Sequence, residues 1–184
     1  IEPSTITGSL VSLGSSVGGL ELTNTELNLI STTSTLQIGG SETESISAEG
    51  VAKSASVGLY QLRAQDTVLF SGTASTSDDD MKIQAQGREG NVTFVVGVTA
   101  KSLNVTSVSS VTVFENLTTT AGALAIDGDA DVSDAGVTTL AGKVYLTASG
   151  GNVLIHERMG GFVEMLTPNV LRSTHDVILY AGAR

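Results

Sequence analysis

The chain has 184 residues, of which 40% are apolar and only 4% aromatic, and it contains no Cys or Trp. That length suits a single domain with its own core, and the shortage of large rings predicts a core of Val, Ile and Leu layers. A net charge of −10 repels a phosphate backbone, so no nucleic-acid partner is expected. No apolar run approaches the roughly 18 residues of a membrane helix, so this segment is not expected to insert into a membrane.

The first 58 residues form the least regular part of the sequence. Short apolar alternations come about eight residues apart, at Leu20/Leu22, Leu27/Leu29 and Leu36/Ile38. Residues 41–56 hold three Glu and few large apolar side chains, which indicates a loop. We therefore predict that residues 1–58 are an irregular, β-rich N-terminal cap or assembly segment.

From residue 59 to residue 184 an apolar pair recurs about every 21 residues, which is typical of stacked coils. One series of pairs is Tyr60/Leu62, Met81/Ile83, Leu103/Val105, Leu124/Ile126, Val144/Leu146 and Val163/Met165. A second series lies between them, at Val68/Phe70, Val92/Phe94, Val111/Val113, Ala130/Val132, Val153/Ile155 and Val177/Leu179. Gly, Ser, Asp and Asn mark the corners between the pairs.

The two series together predict an all-β fold, a β-solenoid or parallel β-helix with about 20–21 residues and two strands per coil. Nine coils would then fill the chain, at about 21 residues each. An intertwined trimeric shaft is one form that such a chain can take. The alternative is a β-sandwich or jelly roll, in which strands spaced 8 to 12 residues apart give a similar pattern.

Two acidic clusters are candidate binding sites. Carboxylates at Asp127, Asp129, Asp131 and Asp134 offer the hard oxygen ligands that calcium prefers, although the spacing departs from the helix-loop-helix calcium motif. A solvated acidic turn is the alternative. The run Asp78, Asp79 and Asp80 ends a polar excursion and is the second candidate, as a corner that contacts a sugar or a protein.

Both histidines of the chain are candidate binding residues. His156 and His175 lie 19 residues apart, close to one coil, and an acidic residue follows each of them. Stacking could bring the two imidazoles together, which would suit a pH switch or a transition metal. The alternative is a pair of solvent-facing side chains on successive coils.

No catalytic residue is assigned, because the sequence has no nucleophile elbow, P-loop, dinucleotide fingerprint or His-Glu-x-x-His motif. We therefore expect no enzyme activity and no cofactor apart from calcium. Three sequons occur, at Asn91, Asn104 and Asn116, and they would accept glycans if a eukaryote secretes the chain.

Residues 102–114, 122–128 and 142–148 carry a resemblance to known families. They resemble the β-helical shafts of haemagglutinin-type bacterial adhesins, phage tail-spike and fibre shafts, and the extracellular β-helix of sarcoglycans, in which three chains wind together. The resemblance covers about residues 59–180. It implies an elongated, rigid shaft, extracellular, at the cell surface or on a virion, without chemistry of its own.

Three functional hypotheses follow. The first is a structural or adhesive shaft or filament subunit that binds copies of itself or other shaft subunits. The second is a carbohydrate- or protein-binding module with a glycan or cell-surface receptor as its partner. The third is a sandwich subunit of a pilus or capsid that donates a strand from residues 4–22 to a neighbour.

Overall fold

The structure is a computed structural model that describes residues 9–14, 19–54, 56–131, 136–157, 162–165 and 169–180. Within these ranges it contains one short helix, α1 (Asn24–Leu29), and 21 strands. No helix of the described residues is long and apolar enough to cross a membrane. The strands are β1 (Ser9–Gly14), β2 (Leu20–Thr23), β3 (Thr32–Gly39), β4 (Thr43–Glu49), β5 (Ala52–Lys53), β6 (Val57–Ala64), β7 (Thr67–Ser71), β8 (Ser75–Ser77), β9 (Asp80–Ala85), β10 (Asn91–Phe94), β11 (Val98–Ala100), β12 (Ser102–Ser107), β13 (Ser110–Val113), β14 (Leu117–Thr119), β15 (Leu124–Asp127), β16 (Val137–Leu140), β17 (Tyr145–Ala148), β18 (Val153–His156), β19 (Phe162–Met165), β20 (Val170–Ser173) and β21 (Val177–Tyr180).

The strands form three parallel sheets wound into one solenoid. Sheet 1 has the order β2-β1-β4-β7-β10-β13-β16-β19, sheet 2 the order β5-β8-β11-β14-β17-β20, and sheet 3 the order β3-β6-β9-β12-β15-β18-β21. Successive strands along the chain visit the three sheets in turn, so each coil contains three strands. The prediction of a parallel β-helix is confirmed, and the β-sandwich alternative is wrong. The described residues make seven coils of three strands, where the sequence predicted nine coils of two.

The interior consists of rows of aligned side chains that run along the stack. In sheet 3 the register pairs Tyr60 with Met81, Met81 with Leu103, and Leu103 with Leu124, as the first apolar series predicts. All four side chains are buried. In sheet 1 Phe70 and Phe94 are neighbours in one row, and their rings stack with centroids 5.1 Å apart.

The fixed period fails after Leu124, because the next coil is longer. Leu124 pairs with Val153, 29 residues further on, and not with Val144. The predicted pair Val144/Leu146 therefore belongs to another sheet, where Leu146 is the neighbour of Leu117 in sheet 2. The additional residues lie between β15 and β16, so the chain reaches each later sheet about eight residues late.

The other late pairs are displaced for the same reason. Val163/Met165 lies in sheet 1, where Met165 pairs with Leu140. Sheet 1 continues from Val111/Val113 to Thr138/Leu140, and not to Ala130/Val132. Ala130 lies in a turn and Val132 lies outside the described residues. Val153/Ile155 and Val177/Leu179 belong to sheet 3.

The division predicted at residue 58 falls inside β6, and sheets 1 and 3 continue without interruption into the first coil. The loop predicted over residues 41–56 is wrong, because it contains β4, whose Ile46 and Ala48 are buried in the core. A strand with small Ser and Ala side chains between its apolar residues has little hydrophobic signal, and its pairing with β1 and β7 decides its structure.

Candidate functional site

The C-terminal end of the stack leaves core positions uncovered. Val177 and Leu179 continue the buried rows of Val153 and Ile155, but their exposed fractions are 44% and 51%. Met165 continues the row of Leu140 and is 42% exposed. No strand of the described residues pairs with the outer edges of β19, β20 and β21. We call this surface, formed by β19, β20 and β21, the open end.

The N-terminal end differs, because side chains of α1 occupy the edge of sheet 2. The Asn24 Nδ2 amide donates to the Gly50 carbonyl (3.0 Å), and its Oδ1 accepts from the Ala52 N–H (2.8 Å). One helical turn later, the Asn28 amide donates to the Ala52 carbonyl and its Oδ1 accepts from the Ser54 N–H, both at 2.7 Å. Spaced i, i+4, the two amides face the same way and replace a neighbouring strand.

Two further features blunt this end, which we call the N-terminal cap (β2, α1 and β3). Sheet 1 ends on the short β2, and sheet 3 ends on β3, whose register shifts between Thr32 and Thr35. Helix α1 is itself fixed by a capping box between Thr23 and Glu26. Short strands, bulges and covering helices are the usual protections of sheet edges. The cap and the open end are therefore chemically unlike.

The acidic corner predicted to bind calcium is partly buried. The Asp127 Oδ2 atom lies 3.7 Å from His156 Nδ1, and its Oδ1 accepts from the Asp129 N–H at 3.2 Å. Asp129 is buried, Asp131 is exposed, and Asp134 lies outside the described residues. Among the described residues, no three His, Asp or Glu side chains form a group able to hold a metal ion. Calcium binding here stays a prediction.

A carboxyl group that the sequence analysis did not single out completes this corner. Glu157 is fully buried, and its Oε1 accepts from the Gly128 N–H at 3.3 Å. Its Oε2 and the buried Thr138 hydroxyl have no hydrogen-bond partner. Burial raises the pKa of Glu157 to about 7, with smaller contributions from the nearby Asp127 and Asp129 charges. Thr138 and the Gly128 N–H favour the anion and limit the rise.

Gly128 is required at this corner for lack of space. A Cβ atom on Gly128 would lie 2.8 Å from Thr138 Oγ1, 2.9 Å from Glu157 Oε1 and 2.9 Å from the Val137 carbonyl oxygen. These three oxygens come from sequence positions far from one another. The corner is thus a tight, oxygen-lined junction between β15, β16 and the end of β18.

The three adjacent acids at the second predicted corner have different environments. Asp79 is buried, and its Oδ1 accepts from the Val57 N–H at 3.0 Å. Asp80 accepts from the Ser102 hydroxyl (2.7 Å) and lies 3.4 Å from the Lys101 ammonium group. Asp78 is exposed. The structure therefore leaves one of the three carboxylates fully accessible, because successive side chains alternate in direction.

Asp79 also acts at a distance on a buried cation. Lys53 is 1% exposed, and its ammonium group donates to the Ile30 carbonyl at 3.1 Å. Burial lowers the pKa of Lys53, and the negative charge of Asp79 opposes that change. This pair joins the end of α1 to the second and third coils, which is a structural role.

The two imidazoles are not brought together. His156 ends β18 and pairs with Tyr180, whereas His175 precedes the first residue of β21 by two positions. They therefore lie at opposite ends of neighbouring strands. His156 instead borders a shallow groove of about 240 Å³ on the outer face of sheet 3, lined by Asn104, Val105, Thr106, Ala125, Ile126, Asp127, Leu154 and His156.

The three sequon asparagines lie in different settings. Asn104 is exposed on the outer face of sheet 3, at the border of the groove. Asn116 is exposed, and its Oδ1 accepts from the Tyr145 N–H at 2.8 Å. Asn91 is half-buried and donates to Thr67 and to the Glu89 carbonyl. Asn104 is the most accessible of the three amides, because Asn116 and Asn91 are engaged in hydrogen bonds.

Sequence reasoning missed Glu157, Asn24 and Asn28. Glu157 follows an apolar strand and looks like an ordinary surface acid, so nothing in the sequence signals its burial. For α1 there was a signal: Thr23 and Glu26 have capping-box spacing, and Asn24 and Asn28 are one turn apart. The alternation at Leu27/Leu29 was interpreted as a strand instead.

Comparison with family models, with characterised proteins and with solved structures found no match. The fold thus defines the class of this protein, a parallel β-helix of three sheets.

Proposed function

We propose that this protein is a structural or adhesive shaft or filament subunit that associates with itself, without catalysis, outside the cell, at the cell surface or on a virion. The observation that carries this proposal is the open end, where Val177, Leu179 and Met165 lie in core rows that no further coil covers. A second copy would bury these side chains and pair the free strand edges. The strand-donating alternative loses its basis, since β1 already pairs between β2 and β4 of its own chain.

Replacing Leu179 with aspartate is expected to abolish self-association. A charge buried in the contact without a partner costs about 3 kcal/mol or more, which corresponds to a loss of affinity of at least about 100-fold. Sedimentation velocity over a concentration series measures the effect. The matched control is Leu29→Asp, because Leu29 is 80% exposed at the N-terminal cap and this variant should associate like the wild type. A wild-type chain that stays monomeric at high concentration would contradict the proposal.

A second candidate function is carbohydrate binding in the groove on sheet 3. Asn104, Thr106, Asp127 and His156 offer hydrogen-bond donors and acceptors side by side, which suits the hydroxyl groups of a sugar. Its shallow shape fits an extended glycan better than an enclosed small molecule.

A glycan array tests this candidate. The wild type is expected to bind a subset of glycans, and His156→Ala is expected to lose at least about tenfold in affinity, because a hydrogen bond to a charged or polar ligand group contributes roughly 1.5 kcal/mol. Asp78→Asn, an exposed acid outside the groove, is the matched control and should bind normally. An array without wild-type signal would exclude carbohydrate as the partner.

A further inference from the structure

We infer that two copies of this protein join open end to open end in a closed pair, and that the stack does not extend head to tail. This inference rests on the proposed function and specifies its partner surface. It starts from the difference between the two ends of the solenoid. Of the described strands, β19, β20 and β21 offer one free edge in each of the three sheets.

A head-to-tail contact would require the open end to dock on the N-terminal cap. In sheet 2, the backbone groups that a docking β20 would need are already bonded: Gly50, Ala52 and Ser54 pair with Asn24 and Asn28. In sheet 3 the register shift in β3 interrupts a regular edge, and Thr33, Ser34 and Thr35 are exposed and polar there. The exposed apolar side chains of the open end would find no apolar partner on that polar edge.

The distribution of charge agrees with this contact. Residues 158–184 carry three Arg against Glu164 and Asp176, a net charge of +1, so the total of −10 leaves −11 for residues 1–157. An end-to-end pair brings the two least acidic regions together and keeps the acidic bodies far apart.

Charge alone would also attract the open end to the acidic cap, where Glu21 and Glu26 are exposed. Exposed charge pairs contribute less than about 1 kcal/mol each and are screened by salt. Covering Val177, Leu179 and Met165 with apolar side chains contributes about 1 kcal/mol or more for each. The apolar term therefore decides the orientation, and the open end pairs with another open end.

A contact of this kind is isologous, because the same residues face each other across a two-fold axis. Such an interface closes on itself and stops at two copies, whereas a head-to-tail contact continues into a filament. The number of copies thus reports the orientation of the contact.

Crosslinking tests the orientation, and the absence of natural Cys makes single-Cys variants clean probes. Ile178→Cys places a thiol at the open end, at a side chain 40% exposed, and Leu29→Cys places one at the cap. With a short bis-maleimide, Ile178→Cys is expected to give crosslinked dimers and Leu29→Cys only monomers. Adding Leu179→Asp to Ile178→Cys should reduce dimer formation at least about tenfold, which excludes random collision as its source.

The outcomes separate this inference from the proposed function. Mixed dimers of Leu29→Cys with Ile178→Cys, together with assemblies that grow with concentration, would overturn the closed pair and leave the proposed shaft or filament subunit standing. Monomers throughout, with both variants folded by circular dichroism, would overturn both.

Discussion

Replacing Glu157 with glutamine is expected to stabilise the protein at pH 8 and to leave its stability at pH 4.5 nearly unchanged. The wild-type carboxyl group must be ionised at pH 8 although it is fully buried beside Asp127 and Asp129. Glutamine keeps an acceptor for the Gly128 N–H and removes the charge. The amide also supplies donors near the Thr138 hydroxyl, which has no partner in the structure.

The direction of the pH dependence follows from linkage. The pKa of Glu157 is about 7 in the folded chain and 4.5 as the unperturbed value, so the folded state binds the proton more tightly. The contribution of this proton to stability is complete below pH 4.5 and is lost as the pH rises through 7. At 1.36 kcal/mol per pH unit, the loss is at most about 3 kcal/mol.

Denaturant unfolding between pH 4.5 and pH 8.5 measures this effect as the difference between wild type and Glu157→Gln. The difference is expected to grow with pH and to level off above about pH 7.5. Glu164→Gln is the matched control, since Glu164 is an exposed acid on β19 and its variant should follow the wild-type curve. A Glu157→Gln curve parallel to the wild-type curve would show that the buried carboxyl group does not titrate in this range.

Replacing both Asn24 and Asn28 with alanine is expected to lower the free energy of unfolding by about 2 kcal/mol. Four hydrogen bonds to the edge of β5 are lost, and each contributes about 0.5 kcal/mol where water can partly replace it. Alanine is the better helix former, so α1 itself gains from the change. A loss of stability therefore reports the contacts with the edge of β5 and not the helix.

Amide hydrogen exchange gives this prediction a local measurement. The Ala52 and Ser54 N–H groups donate to Asn24 and Asn28 in the wild type, and they are expected to exchange faster in the double variant. Thr25→Ala, at an exposed position of the same helix, is the matched control and should change neither quantity. Unchanged exchange at both amides would mean that the asparagines do not protect this edge.

Much of the fold was predictable because a stacked coil repeats its core positions. The rows through Tyr60, Met81, Leu103 and Leu124 follow from spacing alone, since each coil must place an apolar side chain over the one before it. The third strand of each coil was not predictable. Sheet 2 has short strands with small or polar inward residues, such as Ser75 and Ser77 in β8, which carry little periodic signal.

The candidate sites were less predictable, because they depend on contacts between distant residues. The acidic residues around Asp127 drew attention as a cluster, but their environment is set by Glu157, which lies in the following coil. Likewise, the three acids from Asp78 to Asp80 look alike in the sequence, and the alternation of the chain separates their environments.

The sequence by itself determined the class of fold, the aliphatic core and the positions of most corners, because these depend on local alternation and a repeated length. Only the tertiary structure decided where the register changes, since the longer coil after Leu124 displaces every later strand to another sheet. It also decided which end of the stack is covered. A covering residue such as Asn24 is recognised by the edge that it bonds, and that edge is formed by residues 26 to 30 positions away.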